Sequence, residues 1–182
     1  MMFLAKIKEK QMQKRMNGVF CALMCTGLLA VSTNTWAADN IYGTADGKGT
    51  TVEADAVTTG GKLNLGLGSV YNYAYGGYDA SDAGANKNEV TINNGVVIKS
   101  DVYGGYSENG NANENSITIN GGYIDGEVYG GYAYGKGNSN SNKVIITNGL
   151  LEDEIYGGCA INGDSNYNQV IVTGCFIDNE IY

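Results

Sequence analysis

Short runs of alternating apolar and polar residues recur along the chain, each introduced by a pair of asparagines. In Asn86-Lys87-Asn88-Glu89-Val90-Thr91-Ile92, Val90 and Ile92 fall on one face and Thr91 on the other. This period of two is the signature of a strand with one buried side. The pattern N-x-N-x-[VI]-x-[IV] returns at Asn113–Ile119, Asn140–Ile146 and Asn166–Val172, at spacings of 27, 27 and 26 residues. Between these runs lies a second phrase, Tyr-Gly-Gly, beginning at Tyr75, Tyr103, Tyr129 and Tyr156. Ile181-Tyr182 matches its opening, so the tyrosine spacings are 28, 26, 27 and 26. No segment of residues 38–182 sustains a helical period.

Aligning the copies adds three columns. An apolar residue precedes each tyrosine by five positions (Ile98, Ile124, Leu151, Ile177) and another by one (Val102, Val128, Ile155, Ile181). An acid precedes it by two: Asp101, Glu127, Glu154 or Glu180. Repeat length varies mostly after Y-G-G-[YC], which predicts outer loops at 79–85, 107–112, 133–139 and 160–165.

Self-similarity at this period, with two or three short strands per copy, predicts an all-β parallel β-helix (β-solenoid) with coils of about 27 residues. One coil cannot stand alone. Its few apolar side chains contribute roughly 1.5–3 kcal/mol each when buried, whereas ordering the backbone costs roughly 1–2 kcal/mol per residue. Stacked coils share a core and complete one another's hydrogen bonds at a spacing of about 4.8 Å. Stacking also turns columns into ladders. Asn88, Asn115, Asn142 and Asn168 share parity with the inward Val and Ile, and so either form an internal amide ladder or cap a corner of the local backbone. Residues 38–69 lack the clean phrase, but Leu63, Leu65, Leu67 and Val70 continue the apolar pattern. They are expected to form a degenerate N-terminal capping coil, with the repeats spanning 70–182.

Charge divides the chain in two. Residues 1–37 hold Lys6, Lys8, Lys10, Lys14 and Arg15 against Glu9, a net of +4. The other 145 residues hold six Lys, no Arg and 18 acids, a net of −12. A basic start, the apolar run at 18–31, and small residues before Ala38 predict a signal peptide over 1–37 and export across an inner membrane. Cys21 and Cys25 would leave with it. Cys159 and Cys175 remain, either paired or as two buried thiols. The chain has no His and no Pro. The first absence removes Ser-His-Asp and Cys-His nucleophiles and imidazole metal ligands, and the second removes collagen. The acidic balance argues against nucleic acid as a partner.

The combination N-x-N-x-V-T-I-x-x-G-x-I-x-x-[DE]-V-Y-G-G-Y, over about residues 70–182, resembles the repeats in passenger domains of Gram-negative autotransporters and related repeat-containing surface adhesins. The resemblance implies a parallel β-helix displayed at the cell surface or released outside, and anchored in the outer membrane by a C-terminal β-barrel. No barrel strands follow here, so the chain reads as the N-terminal part of a longer protein or as a truncated frame. The open edge after Ile181 would favour self-association.

Two columns could carry chemistry. If Val102 points inward, Tyr75, Tyr103, Tyr129, Tyr156 and Tyr182 form an outward aromatic stripe beside Asp101, Glu127, Glu154 and Glu180. Such a stripe suits a glycan or a protein partner on a host or neighbouring cell, or else the rings simply stack between coils. The acids invite a cation such as calcium, or else they form a solvated stripe. The glycine-rich calcium nonapeptide is absent, and no metal, cofactor or catalytic residue is assigned. No coil breaks the repeat to build a distinct site, so a structural, adhesive protein is expected and not an enzyme. The alternatives are a carbohydrate-active β-helix enzyme and a calcium-ordered secreted repeat.

Overall fold

The computed structural model describes residues 39–182. The predicted signal peptide, with Cys21 and Cys25, lies outside the described residues. The chain winds as a parallel β-solenoid in which each coil contributes one rung to each of three sheets. The N-x-N phrases lead into four strands of one sheet, Glu89–Ile92, Ser116–Ile119, Lys143–Ile146 and Gln169–Val172, and Lys62–Leu65, which lacks the phrase, pairs at its N-terminal edge. Two-residue strands build the second, from Val70–Tyr71 through Val97–Ile98, Tyr123–Ile124 and Leu150–Leu151 to Phe176–Ile177. The Tyr-Gly-Gly phrases build the third, from Ala74–Asp79 and Val102–Ser107 to Val128–Tyr129 and Ile155–Tyr156, and Ile41–Tyr42 pairs at its N-terminal edge.

Register follows the repeat. Val90 pairs with Ile117, Ile117 with Val144, and Val144 with Val170. These side chains form one column of a single apolar core. Beside it run the columns of Ile92, Ile119 and Ile146, of Ile98, Ile124 and Leu151, and of Val102, Val128 and Ile155, all buried. Lys62–Leu65 pairs with Glu89–Ile92, placing Leu63 and Leu65 in the core. The alternation expected to continue through Leu67 and Val70 stops at Leu65. Leu67 and Val70 are exposed, because the chain turns at Gly66 and Gly68, the latter at φ 86°.

The two phrases of the repeat meet inside each coil. The second glycine of Tyr-Gly-Gly lies against an asparagine of N-x-N, and a Cβ on Gly105 would collide with the Asn115 amide and the Ala85 carbonyl. The asparagines form the internal ladder. Asn88 Nδ2 donates to Asn115 Oδ1 at 2.9 Å, Asn115 Nδ2 to Asn142 Oδ1 at 3.0 Å, and Asn142 Nδ2 to Asn168 Oδ1 at 3.1 Å. Each acceptor oxygen also takes the backbone N–H of the preceding asparagine. The second amide proton serves the corner: Asn115 Nδ2 donates to Ala85 O and Asn142 Nδ2 to Ser139 Oγ. Ladder and corner cap, open alternatives in the sequence, are both realised by the same side chain. No buried side-chain nitrogen or oxygen among the described residues lacks a partner.

The outer loops are anchored as well as solvated. Asp79, in the first of them, is buried and accepts hydrogen bonds from Ser81 N, Ser81 Oγ, Gly84 N and Ser107 Oγ. Burial alone would raise its carboxyl, but these donors prevail and hold it below the ordinary aspartate value.

Candidate functional site

Strand parity puts Val102 in the core and Tyr103 on the opposite side of the same sheet. The tyrosines therefore stand outside the apolar core, one coil apart, and their rings stack. Centroid distances are 5.1 Å for Tyr42–Tyr75 and Tyr75–Tyr103, 5.3 Å for Tyr103–Tyr129, and 4.9 Å for Tyr129–Tyr156 and Tyr156–Tyr182. Interplanar angles along the column are 4–11°.

A second column stands beside the first. Tyr78, Tyr106 and Tyr132 occupy the position after the two glycines, and stack on one another at 5.5 Å. They meet the first column edge to face, at 5.4 Å for Tyr75–Tyr78, 5.2 Å for Tyr103–Tyr106 and 4.9 Å for Tyr129–Tyr132. In the next coil Cys159 takes the place of the tyrosine, paired in register with Tyr132. Together these rings form an aromatic cluster separate from the interior core. Its depth was not apparent from the repeat. Tyr75, Tyr103 and Tyr129 are only 9%, 8% and 7% exposed, because the neighbouring column and the adjacent coils cover them. Ring faces along the column are used by other rings.

The acids edge this cluster. Tyr103 donates its hydroxyl to Asp101 Oδ2 at 2.9 Å, Tyr129 donates to Glu127 Oε2 at 2.8 Å, and Tyr182 donates to Glu180. Each pair lies two residues apart on one strand face, the spacing that Asp/Glu-x-Tyr imposes. Tyr78 donates across the coils to Glu108 at 3.3 Å. Asp101 Oδ1 also accepts the Glu127 N–H at 3.0 Å. Glu154 differs. Its carboxyl shares a hydrogen bond with Asp153 that raises it above the ordinary glutamate value. Burial, reinforced by Asp101, raises the Tyr103 phenol well above its ordinary value. Burial, the hydrogen bond to Glu127 and that carboxylate's charge do the same at Tyr129. Tyr78 is pushed up to about 12 by burial and by Glu53 and Glu108.

The sequence-predicted stripe is thus brought together on one side of the solenoid, with Tyr103, Tyr129 and Tyr182 in phenol–carboxylate pairs and Tyr75 and Tyr156 held by ring stacking. Among the described residues, no three acidic or cysteine side chains converge as a metal site. Cys159 and Cys175 are free thiols that belong to different clusters, Cys159 to the tyrosines and Cys175 to the apolar core. Burial raises both thiols, which makes them poor nucleophiles. Sequence reasoning missed the second tyrosine column. Its signal was the fourth position of Y-G-G-[YC].

Compared with family models, with curated proteins and with solved structures, the chain finds no significant match.

Proposed function

We propose that the chain is an exported structural module, a β-solenoid passenger that stands at or beyond the cell surface and presents a repeated face for adhesion. The observation that carries this reading is the unbroken register. Columns of core residues, asparagines, tyrosines and acids pass from coil to coil, and among the described residues the departures from them, such as Cys159 in the place of a tyrosine, assemble no distinct constellation. Repetition of this kind makes a stalk whose surface is the same at every rung. The basic start and apolar run of residues 1–37 supply the export address. The acidic, phenol-edged face suits contact with a basic or hydrogen-bonding surface on a neighbouring cell.

The test has two arms. Residues 1–37 fused to a reporter active only outside the cytoplasm are expected to give activity in a Gram-negative host. The same reporter behind residues 38–182 alone is expected to give none. Beads coated with the folded full chain are then expected to retain cells, and beads coated with urea-unfolded chain are not. A reporter inactive behind residues 1–37 overturns export, and equal retention by folded and unfolded coats overturns a surface built by the solenoid.

A further inference from the structure

The tyrosine columns form a continuous aromatic path from solvent to a buried pair. Tyr134 is 58% exposed and stacks on Tyr132 at 6.5 Å. Tyr132 in turn touches both Tyr129, at 4.9 Å, and Tyr103, at 5.8 Å. Tyr103 and Tyr129 stack on each other at 5.3 Å with planes 4° apart. Both direct their hydroxyls toward a carboxylate two residues back in their own chain segment, so the two phenols, on parallel stacked rings, make equivalent hydrogen bonds in adjacent coils. A phenol gives up an electron readily only if its proton can leave as well. A base already in hydrogen-bond contact provides that route, and Asp101 and Glu127 are such bases. Neither stacking nor solubility needs two buried phenols that both have a carboxylate acceptor and a ring path to the surface.

We propose that Tyr103 and Tyr129 are a site of oxidative cross-linking, joined through their ring carbons into a dityrosine by a peroxidase-class oxidant. Each phenol loses one electron, passed outward through Tyr132 and Tyr134, and one proton, taken by Asp101 or Glu127 and released to water. The two phenoxyl radicals form one carbon–carbon bond between the positions ortho to oxygen. Each coupled ring then moves its ortho hydrogen to its oxygen and becomes a phenol again. The pair loses two electrons and two protons in all, and hydrogen peroxide accepts them to give two waters. Holding the rings in register replaces a chance encounter of radicals by an intramolecular step. The product fastens one coil to the next by a covalent bond on the outside of the solenoid.

The test uses the full chain with all four cysteines, Cys21, Cys25, Cys159 and Cys175, changed to serine, so that thiols do not consume the oxidant. The chain is kept dilute and treated with a haem peroxidase and hydrogen peroxide. The expected product is a monomer that has lost two hydrogens and shows dityrosine fluorescence. Cleavage after Glu108, Glu114 and Glu127 separates the two tyrosines, and the linked fragments are expected to contain both. Tyr103→Phe and Tyr129→Phe each keep a stacking ring but no phenol, and each is expected to reduce the intramolecular product at least tenfold. Tyr134→Phe is expected to slow its formation several-fold without changing which residues are joined. Product found only in covalent dimers, an unchanged yield in either phenylalanine variant at the pair, or an equal yield from the urea-unfolded chain would each overturn the proposal. Circular dichroism of the variants separates loss of the phenol from loss of the fold.

Discussion

Between the two asparagines of every N-x-N phrase the backbone passes through the left-handed region, with φ of 59° at Lys87, 58° at Glu114, and 57° at Ser141 and Tyr167. None of these residues is glycine, so each turn carries strain that the flanking asparagines must hold. The turn aims both of them along the stack. Asn86 Oδ1 accepts the N–H of Asn113 at 2.8 Å, while Asn88 enters the internal ladder. The residue between them projects outward and varies freely: Lys87 lies 3.9 Å from Glu114, and Tyr167 is 88% exposed. Ser141→Gly is therefore expected to stabilise the protein. It relieves about 1–2 kcal/mol of left-handed strain against an added unfolded-chain entropy of about 0.5–1 kcal/mol, for a net gain of about 0.5–1 kcal/mol. A higher urea midpoint at unchanged slope would register it, and a lower midpoint would show that the hydroxyl has a role of its own. Asn115→Ala should act in the opposite sense. It removes the acceptor of two N–H groups of Asn88 and the donor to Ala85 O and Asn142 Oδ1, all in a dry site. A loss of about 2–4 kcal/mol is expected in the same urea titration.

At the scale of the element, the tyrosine columns tie stability to high pH. Tyr75, Tyr103 and Tyr129 titrate above the ordinary phenol value, in each case because burial penalises the phenolate. In the unfolded chain the same groups lose their protons near about pH 10. Below that pH both states are protonated and the columns contribute in full. Above it the unfolded state binds fewer protons than the folded one, so stability falls as pH rises. Each phenol held protonated in the fold costs about 1.4 kcal/mol per pH unit there. Urea midpoints taken from about pH 8 to about pH 12 should stay level and then drop more steeply than one proton allows. Tyrosinate absorbance should appear together with the loss of circular dichroism. Tyr103→Phe should flatten the drop, and an unchanged slope in that variant would remove Tyr103 from the titrating set. These elements were partly legible in the sequence. In a solenoid each position lies over its own copy, so the period of the columns was already the register of the sheets. Contacts that cross a coil leave no such trace. Gly105 packing on Asn115, and the second tyrosine column covering the first, depend on how the chain bends between strands. That bending is set by loops that vary in length and composition, so the burial of Tyr75, Tyr103 and Tyr129 within the stripe could not be foreseen, whereas Tyr182 is exposed. For the same reason Asp79, inside one of these loops, could not be recognised as an anchor.

For the whole molecule, nearest-neighbour coupling along one axis has a consequence that a globular core would not share. Each coil touches only the coils on either side, so stability is close to a sum of coil terms and interface terms. An interior coil should therefore be removable if the cut respects the register. Deleting residues 116–142 joins Asn115 to Lys143, and Lys143 already pairs with Ser116, whose place it would take. In the shortened chain Asn115 would donate to Asn168 in place of Asn142, Val90 would pair with Val144, and Tyr103 would stack on Tyr156. One coil's burial and one interface would be lost, so the urea midpoint and its slope should both decrease, the slope because less surface is exposed on unfolding. The β-type circular dichroism per residue should remain. Deleting residues 116–128 removes about half a coil and sets apolar positions against polar ones at the junction, so the coils on either side of the cut no longer stack in register. That chain is expected to lose cooperative unfolding and to aggregate. If the two deletions behaved alike, the columns would not be what holds the molecule together, and the shared core inferred from their alignment would have to be abandoned.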